Sequence, residues 1–229
     1  LFGCWVWWQL GSAKGAEYFT GYVLEKTLSM DNIFVIAVIF GYMGIPRLYQ
    51  HRVLFWGIIG VIVLRGIMIG IGAALVHEFA WVLYIFAAFL IYTGFKMLVT
   101  EDTGEHDLSE NPVLKFMSAR FRVTDKLYGQ KFLVRVPHED KGPPVWHMTP
   151  LLVTLVLIEI SDVIFAVDSV PAVFSVTTDP FIVFTSNIFA ILGLRALYFM
   201  LSALIERFVY LKYALSLVLV FIGAKVLIC

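Results

Sequence analysis

The chain has 229 residues, of which 60% are hydrophobic and only 15% charged, with 17 basic and 17 acidic residues that cancel. A soluble domain averages roughly 45–50% apolar and about 25% charged, so both departures point to a membrane protein, and the mean hydropathy of +0.87 agrees. A soluble domain of this size could not bury so much apolar side chain, disorder is excluded for the same reason, and zero net charge argues against a nucleic-acid partner.

A membrane-spanning helix needs about 20 mostly apolar residues. Leu1–Leu10 reads as the end of a truncated transmembrane helix, with Trp5, Trp7 and Trp8 suited to the interface. The chain starts without Met and ends inside an apolar run, so trimming from a longer protein is expected. Cys4 and Cys229 lie at the two extremes and define no disulfide framework. Tyr18–Met43 is the next predicted span, less clean than the others because it holds Glu25, Lys26 and Asp31. Val53–Val76 and Phe79–Val99 follow, and the three complete a first unit over residues 18–99.

Residues 100–148 form a polar connection. Within it Asn111–Arg122 has the pattern of a surface-lying amphipathic helix and Lys131–Val136 that of a short strand. Thr149-Pro150 and Asp179-Pro180 each place a capping residue before proline, as at helix starts. They introduce the spans Leu151–Val176 and Phe181–Ile205, and Phe208–Ile228 closes a second unit over residues 149–229. Basic residues gather on one side: Arg47 and Arg52, seven in the long connection, then Arg207 and Lys212. The positive-inside rule makes that side cytoplasmic.

The two units echo each other. Asp31-Asn32-Ile33-Phe34 matches Asp162-Val163-Ile164-Phe165 at an offset of 131, Arg65 matches Arg195 at 130, and Gly94–Leu98 matches Gly223–Leu227 at 129. Three spans per unit place the second unit upside down. The expected fold class is therefore all-α, a polytopic transmembrane helix bundle with two inverted three-helix repeats, an arrangement that in secondary transporters puts the site near the midplane.

Charges in the bilayer core are costly, yet five acids lie in two spans: Glu25 and Asp31, then Glu159, Asp162 and Asp168. At a rise of about 1.5 Å per residue, Asp31 and Asp162 fall near midplane, and Glu25 and Asp168 share a depth farther from the cytoplasm. Glu159 shares a face with Asp162 by i,i+3 spacing. Pro171 frees the carbonyl of Val167, and Ser29, Asn32, Ser161 and Ser169 add neutral oxygens. Hard oxygens suit Mg²⁺, Ca²⁺ or Mn²⁺ rather than Cu⁺ or Zn²⁺, and the five histidines lie in loops or at helix ends. Arg65 and Arg195 are expected as structural counter-ions, and Lys26 as the partner of Glu25 or a snorkelling residue.

These residues also carry a likeness. Glu25-Lys-Thr-Leu-Ser-Met-Asp31-Asn32 and Glu159-Ile-Ser-Asp162-Val-Ile-Phe-Ala-Val-Asp168-Ser169-Val-Pro171-Ala resemble the two signatures of the TerC family. Arg65, Gly193-Leu-Arg195-Ala-Leu-Tyr-Phe199, Gly129-Gln-Lys-Phe132 and Thr149-Pro150-Leu151 fit as well. The family is named for tellurium resistance and is similar to LysE-type transporters, and its Alx-like members are implicated in manganese export. The resemblance implies a manganese role for Glu25, Asp31, Asn32, Glu159, Asp162 and Asp168.

The expected function is export of divalent metal, Mn²⁺ by the resemblance, across a bacterial inner membrane. Mn²⁺ is then cargo, with no permanently bound cofactor; the partners are the lipid bilayer, the divalent ion and proteins that engage residues 100–148. The alternative is a non-transporting scaffold of a tellurium-stress or membrane-protein-assembly complex. A tellurite carrier would want basic groups at the midplane. No nucleophile–base pair or phosphate loop points to an enzyme.

Overall fold

The computed structural model describes residues 1–79, 81–99, 120–124, 126–136 and 145–201, together with 217, 220, 221 and 224. It is mostly helical: α1 (Phe2–Tyr42), α2 (Arg47–Glu78), α3 (Val82–Val99), β1 (Leu133–Val136), β2 (Val145–Met148), α4 (Pro150–Phe174), α5 (Pro180–Leu192) and α6 (Leu194–Leu201). Arg47–Glu78, Pro150–Phe174 and Pro180–Met200 are long and apolar enough to cross a membrane, and Val82–Lys96 is a shorter apolar helix. α1 is long enough but carries Glu25, Lys26 and Asp31. The predicted span Phe208–Ile228 lies outside the described residues apart from helical Leu217, Val220, Phe221 and Ala224. Most of Asn111–Arg122 lies outside them too.

At 1.5 Å per residue the 41 residues of α1 would reach about 60 Å, twice a bilayer core. The helix is broken at Gly11, whose φ of 86° suits a residue without Cβ. The short arm Phe2–Leu10 folds back on the long one. Phe2 stacks on Phe189 of α5 (centroids 4.4 Å), Val6 packs with Tyr18 and Ile182, and a Cβ on Gly15 would lie 2.6 Å from the Trp7 ring. A second break, at Gly193, divides the predicted span Phe181–Ile205 into α5 and α6.

The helix starts lie where the dipeptides place them. Asp179 accepts a hydrogen bond from the Phe181 amide (3.0 Å), with Pro180 as the first helical residue. Thr149 stands at the N-cap of α4 without a side-chain cap; its hydroxyl donates instead to the carbonyls of Lys131 (2.7 Å) and Phe132 (3.1 Å), which ties the residues just before β1 to the start of the helix. β1 lies within the predicted strand and pairs antiparallel with β2, Leu133 opposite Met148. His147 lies in β2, not in a loop, because this second strand has too short an alternation to be read from sequence.

α2 packs chiefly on α4, α1 on α5 and α4, and α3 on α4. The apolar core has two main bodies. One joins Ile33, Ile36, Phe40, Leu54, Leu157 and Ile158; the other joins Leu28, Ile69, Leu90, Ala166, Val173 and Phe174. Along α2 and along α4 a polar layer falls between them.

Candidate functional site

α2 shows how that layer is made. Its buried face carries Val61, Arg65, Ile69, Gly72 and Val76, while Val63, Ile67 and Ile71 are 56%, 55% and 57% exposed. A soluble helix would do the reverse. Here the charge is inside and the branched apolar side chains face outward, as lipid demands. Arg65 is among the largest fully buried side chains of the molecule, and Glu25 is fully buried too.

Arg65 is the hub of four helices. Its Nε donates to Asp162 Oδ2 (3.1 Å) and its Nη2 to Asp162 Oδ1 (3.0 Å), a bidentate pairing with α4. Its Nη1 donates to Glu25 of α1, to Ser169 Oγ of α4 (3.2 Å) and to Asn187 Oδ1 of α5 (3.2 Å). Asn32 Nδ2 donates to Asp162 Oδ1 (3.0 Å), and Ser29 Oγ to Glu25 Oε1 (3.2 Å). Two carboxylates thus share one guanidinium in a site largely shielded from bulk solvent. Among the described residues three oxygens are buried without a hydrogen-bond partner: Glu25 Oε2, Asn32 Oδ1 and Glu159 Oε2. Such atoms are costly to leave unpaired.

A cavity of about 20 Å³, room for about one water, adjoins the network and is lined by Asn32, Ser161 and Asp162 among apolar neighbours. The Ser161 hydroxyl donates to its own helix at Leu157 O (2.8 Å). Half-buried Glu159 points at α2, where a Cβ on Gly60 would lie 2.1 Å from Oε1. Gly60 therefore makes the room that the carboxylate occupies.

Of the six predicted ligand residues, Glu25, Asn32 and Asp162 meet at Arg65. Glu159 lies one turn along α4 from Asp162, facing the same helix. Asp168 takes no part in the network; the charge that acts on it is Lys96 of α3. Asp31 belongs to α1, and its side chain, like that of Arg195, lies outside those described. Among the described residues no three acidic, histidine or cysteine side chains stand grouped as a metal centre.

Lys26 is not paired with Glu25. Its Nζ donates to the Ala190 carbonyl (2.8 Å) at the end of α5. The break after Leu192 leaves that carbonyl end open to an outside donor, and a cation there meets the negative end of the helix dipole. Gly193 permits the approach, since a Cβ would lie 2.4 Å from Nζ. Sequence reasoning also missed Asn187, an amide in an otherwise apolar stretch, and Gly60.

Outside the spans, Lys14 Nζ bridges Glu17 (2.8 Å) and Asp179 (3.3 Å), and Thr177 donates to Glu17 (2.6 Å). Partial burial alone would raise the Glu17 carboxyl, but the hydrogen bonds from Lys14 and Thr177 outweigh it and hold the group below its ordinary 4.5. The same contact with Glu17 raises Lys14 above 10.5.

An apolar exterior around a buried ionic layer defines an integral membrane protein built of helices. The chain belongs to the TerC family: the profile of the "Integral membrane protein TerC family" matches residues 10–229. It is 49% identical over its whole length to a Photorhabdus laumondii protein described as "Putative membrane-bound redox modulator Alx", covering 72% of that protein. The protein of the same description from Escherichia coli K12 is 47% identical, with 71% covered. A Myxococcus xanthus protein described as "Uncharacterized membrane protein STKORF319" is 49% identical, with 69% covered. No solved structure matches at a significant level.

Proposed function

We propose that the chain exports divalent cations, Mn²⁺ first among them, across a bacterial inner membrane, with the cargo held by the oxygens gathered around Arg65. The observation that carries this reading is the set of unpartnered buried oxygens. Glu25 Oε2, Asn32 Oδ1 and Glu159 Oε2 are hard acceptors with no donor to satisfy them, close to a carboxylate pair that only an internal cation neutralises. A divalent ion supplies what they lack, and oxygen-only donors favour Mg²⁺, Ca²⁺ or Mn²⁺ over softer ions. Mn²⁺ is put first in this proposal on the resemblance to the TerC family alone.

In this reading Arg65 is the stand-in cation of the unloaded state. Cargo enters from the basic cytoplasmic side, passes Glu159 and the small cavity at Asn32, and competes with the guanidinium for Asp162 and Glu25. It leaves past the Asp168 level. Rocking of one repeat against the other gives alternating access. The test is metal content in cells that express wild type or Asp162→Asn under manganese load. Wild type lowers cellular Mn²⁺ and the variant does not; equal lowering by both removes Asp162 from the pathway.

A second reading has its own observation. Glu25 and Asp162 are already paired, and the described residues hold no ready metal centre. A non-transporting scaffold would use the same network as structural glue, with partners on residues 100–148. It makes neutralised acids matter through stability alone.

A further inference from the structure

α2 starts at Arg47, directly after Pro46, with no side-chain cap and no acid in its first turn. Its first two turns are instead basic, and they line an open groove of about 830 Å³. Arg47, His51, Arg52 and Gln130 give the groove its polar lining. Arg52 Nη1 donates to the neutral Gln130 Oε1 (3.2 Å), and its guanidinium lies 5.3 Å from the centre of the Phe132 ring. Its Nε is buried with no hydrogen-bond partner. Among the described residues neither Arg47 nor Arg52 has a carboxylate within ion-pair reach. Two positive charges and a buried N–H donor therefore converge without an anion among the described residues.

The apolar lining says what kind of anion fits. Leu48, Phe55 and Trp56 line the groove at 72%, 50% and 47% exposure. They run into the outward face of α2, where Ile59 and Val63 are 40% and 56% exposed. A free phosphate would use the arginines and leave this wall empty. A phosphodiester carrying acyl chains uses both, and interfacial aromatic and basic residues sit where headgroup phosphates lie.

We propose that this groove binds an anionic phospholipid, with the headgroup phosphate on Arg47 and Arg52 and the acyl chains along Phe55 and Ile59. The lipid joins three parts of the chain: the start of α2, the segment before β1 through Gln130, and α6 through Phe199, whose ring stacks on His51 (5.5 Å). Bound lipid therefore stabilises the fold as well as anchoring it. The site is separate from the Arg65 network, so its failure leaves the transport reading untouched.

The test uses the purified chain in neutral detergent, with phosphatidylglycerol, phosphatidylcholine or inorganic phosphate added in turn. Retained lipid is read by native mass spectrometry and stability by thermal unfolding. Phosphatidylglycerol is retained over phosphatidylcholine and raises the Tm. The exposed Arg47→Gln variant binds it about fivefold more weakly, and Arg47→Gln/Arg52→Gln about thirtyfold. Should the double variant fail to fold, Arg47→Gln alone decides. Equal retention of the two lipids, an equal Tm rise from inorganic phosphate alone, or unchanged binding by Arg47→Gln each overturns the proposal.

Discussion

Arg65→Gln takes away the guanidinium through which four helices meet and leaves its partners in place. Arg65, Glu25 and Asp162 are 1%, 0% and 7% exposed, so bulk solvent replaces little of what is lost. Two carboxylates then face each other with no counter-charge paired to them among the described residues. One-sided removal of a buried ionic partner costs about 3–5 kcal/mol. Asp162→Asn is a gentler change. It keeps the shape and the Oδ1 acceptor used by Asn32 and Arg65, and it leaves Arg65 balanced against Glu25 alone. Arg65 stays charged, but the amide NH2 that replaces Oδ2 cannot accept from Nε, and the loss of that hydrogen bond costs about 1–3 kcal/mol. Arg65→Gln is therefore expected to exceed Asp162→Asn by about 2 kcal/mol, roughly thirtyfold in the unfolding constant. Unfolding by SDS titration in mixed micelles measures both. In the double variant Glu25→Gln/Arg65→Gln, the loss is smaller than the sum of the single losses, because one stranded carboxylate is gone. Equal losses from Arg65→Gln and Asp162→Asn, or losses below about 1 kcal/mol for both, would refute the hub argument.

Three further outcomes follow from particular contacts. Gly60→Ala places a Cβ 2.1 Å from Glu159 Oε1, and the flexible carboxylate yields before the backbone does. Stability should change by no more than about 1 kcal/mol, while cellular manganese lowering falls; an unchanged transport phenotype would detach Glu159 from the pathway. Gly193→Ala displaces Lys26 from the Ala190 carbonyl and should cost about 1–3 kcal/mol, much of it regained in Lys26→Met/Gly193→Ala, as a double-mutant cycle of unfolding free energies will read. The lowered Glu17 carboxyl contributes stability that is present above its ordinary 4.5 and lost as pH falls through its lower folded value. Glu17→Gln should flatten the acid limb of a Tm-against-pH curve, and an unaltered limb would show that the Lys14 contact adds nothing.

The contrast between what sequence revealed and what it hid has a physical cause. Thr149-Pro150 and Asp179-Pro180 were legible as helix starts because capping and proline geometry are local. Glu25, Arg65 and Asp162 were legible because a charge in an apolar run has few explanations. Their pairing was not, because a helix apolar on nearly every side offers little contrast to set its rotation. Periodicity placed Asp162 and Glu159 on one face but could not say that Arg65 would take the first and Gly60 the second. The break at Gly193 was hidden for a related reason: glycine inside an apolar run reads equally well as close packing, whereas at Gly11 the polar stretch after Leu10 shows an interruption but not that the arm folds back. For Lys26 the sequence offers its neighbour Glu25 or the membrane interface. The carbonyl it meets, 164 positions away, becomes available only once α5 has ended.

We propose that the oxygens around Arg65 carry a divalent cation across the membrane. Reconstituted liposomes loaded with Mn²⁺, Mg²⁺ or Ca²⁺ on one side, with wild type beside Asp162→Asn, test it directly. The account predicts Mn²⁺ flux through wild type and a loss of roughly 10–100-fold in the folded variant, the scale on which a disturbed metal site weakens. No flux of any of the three ions through folded wild type, or Mn²⁺ flux equal in the two proteins, would contradict it.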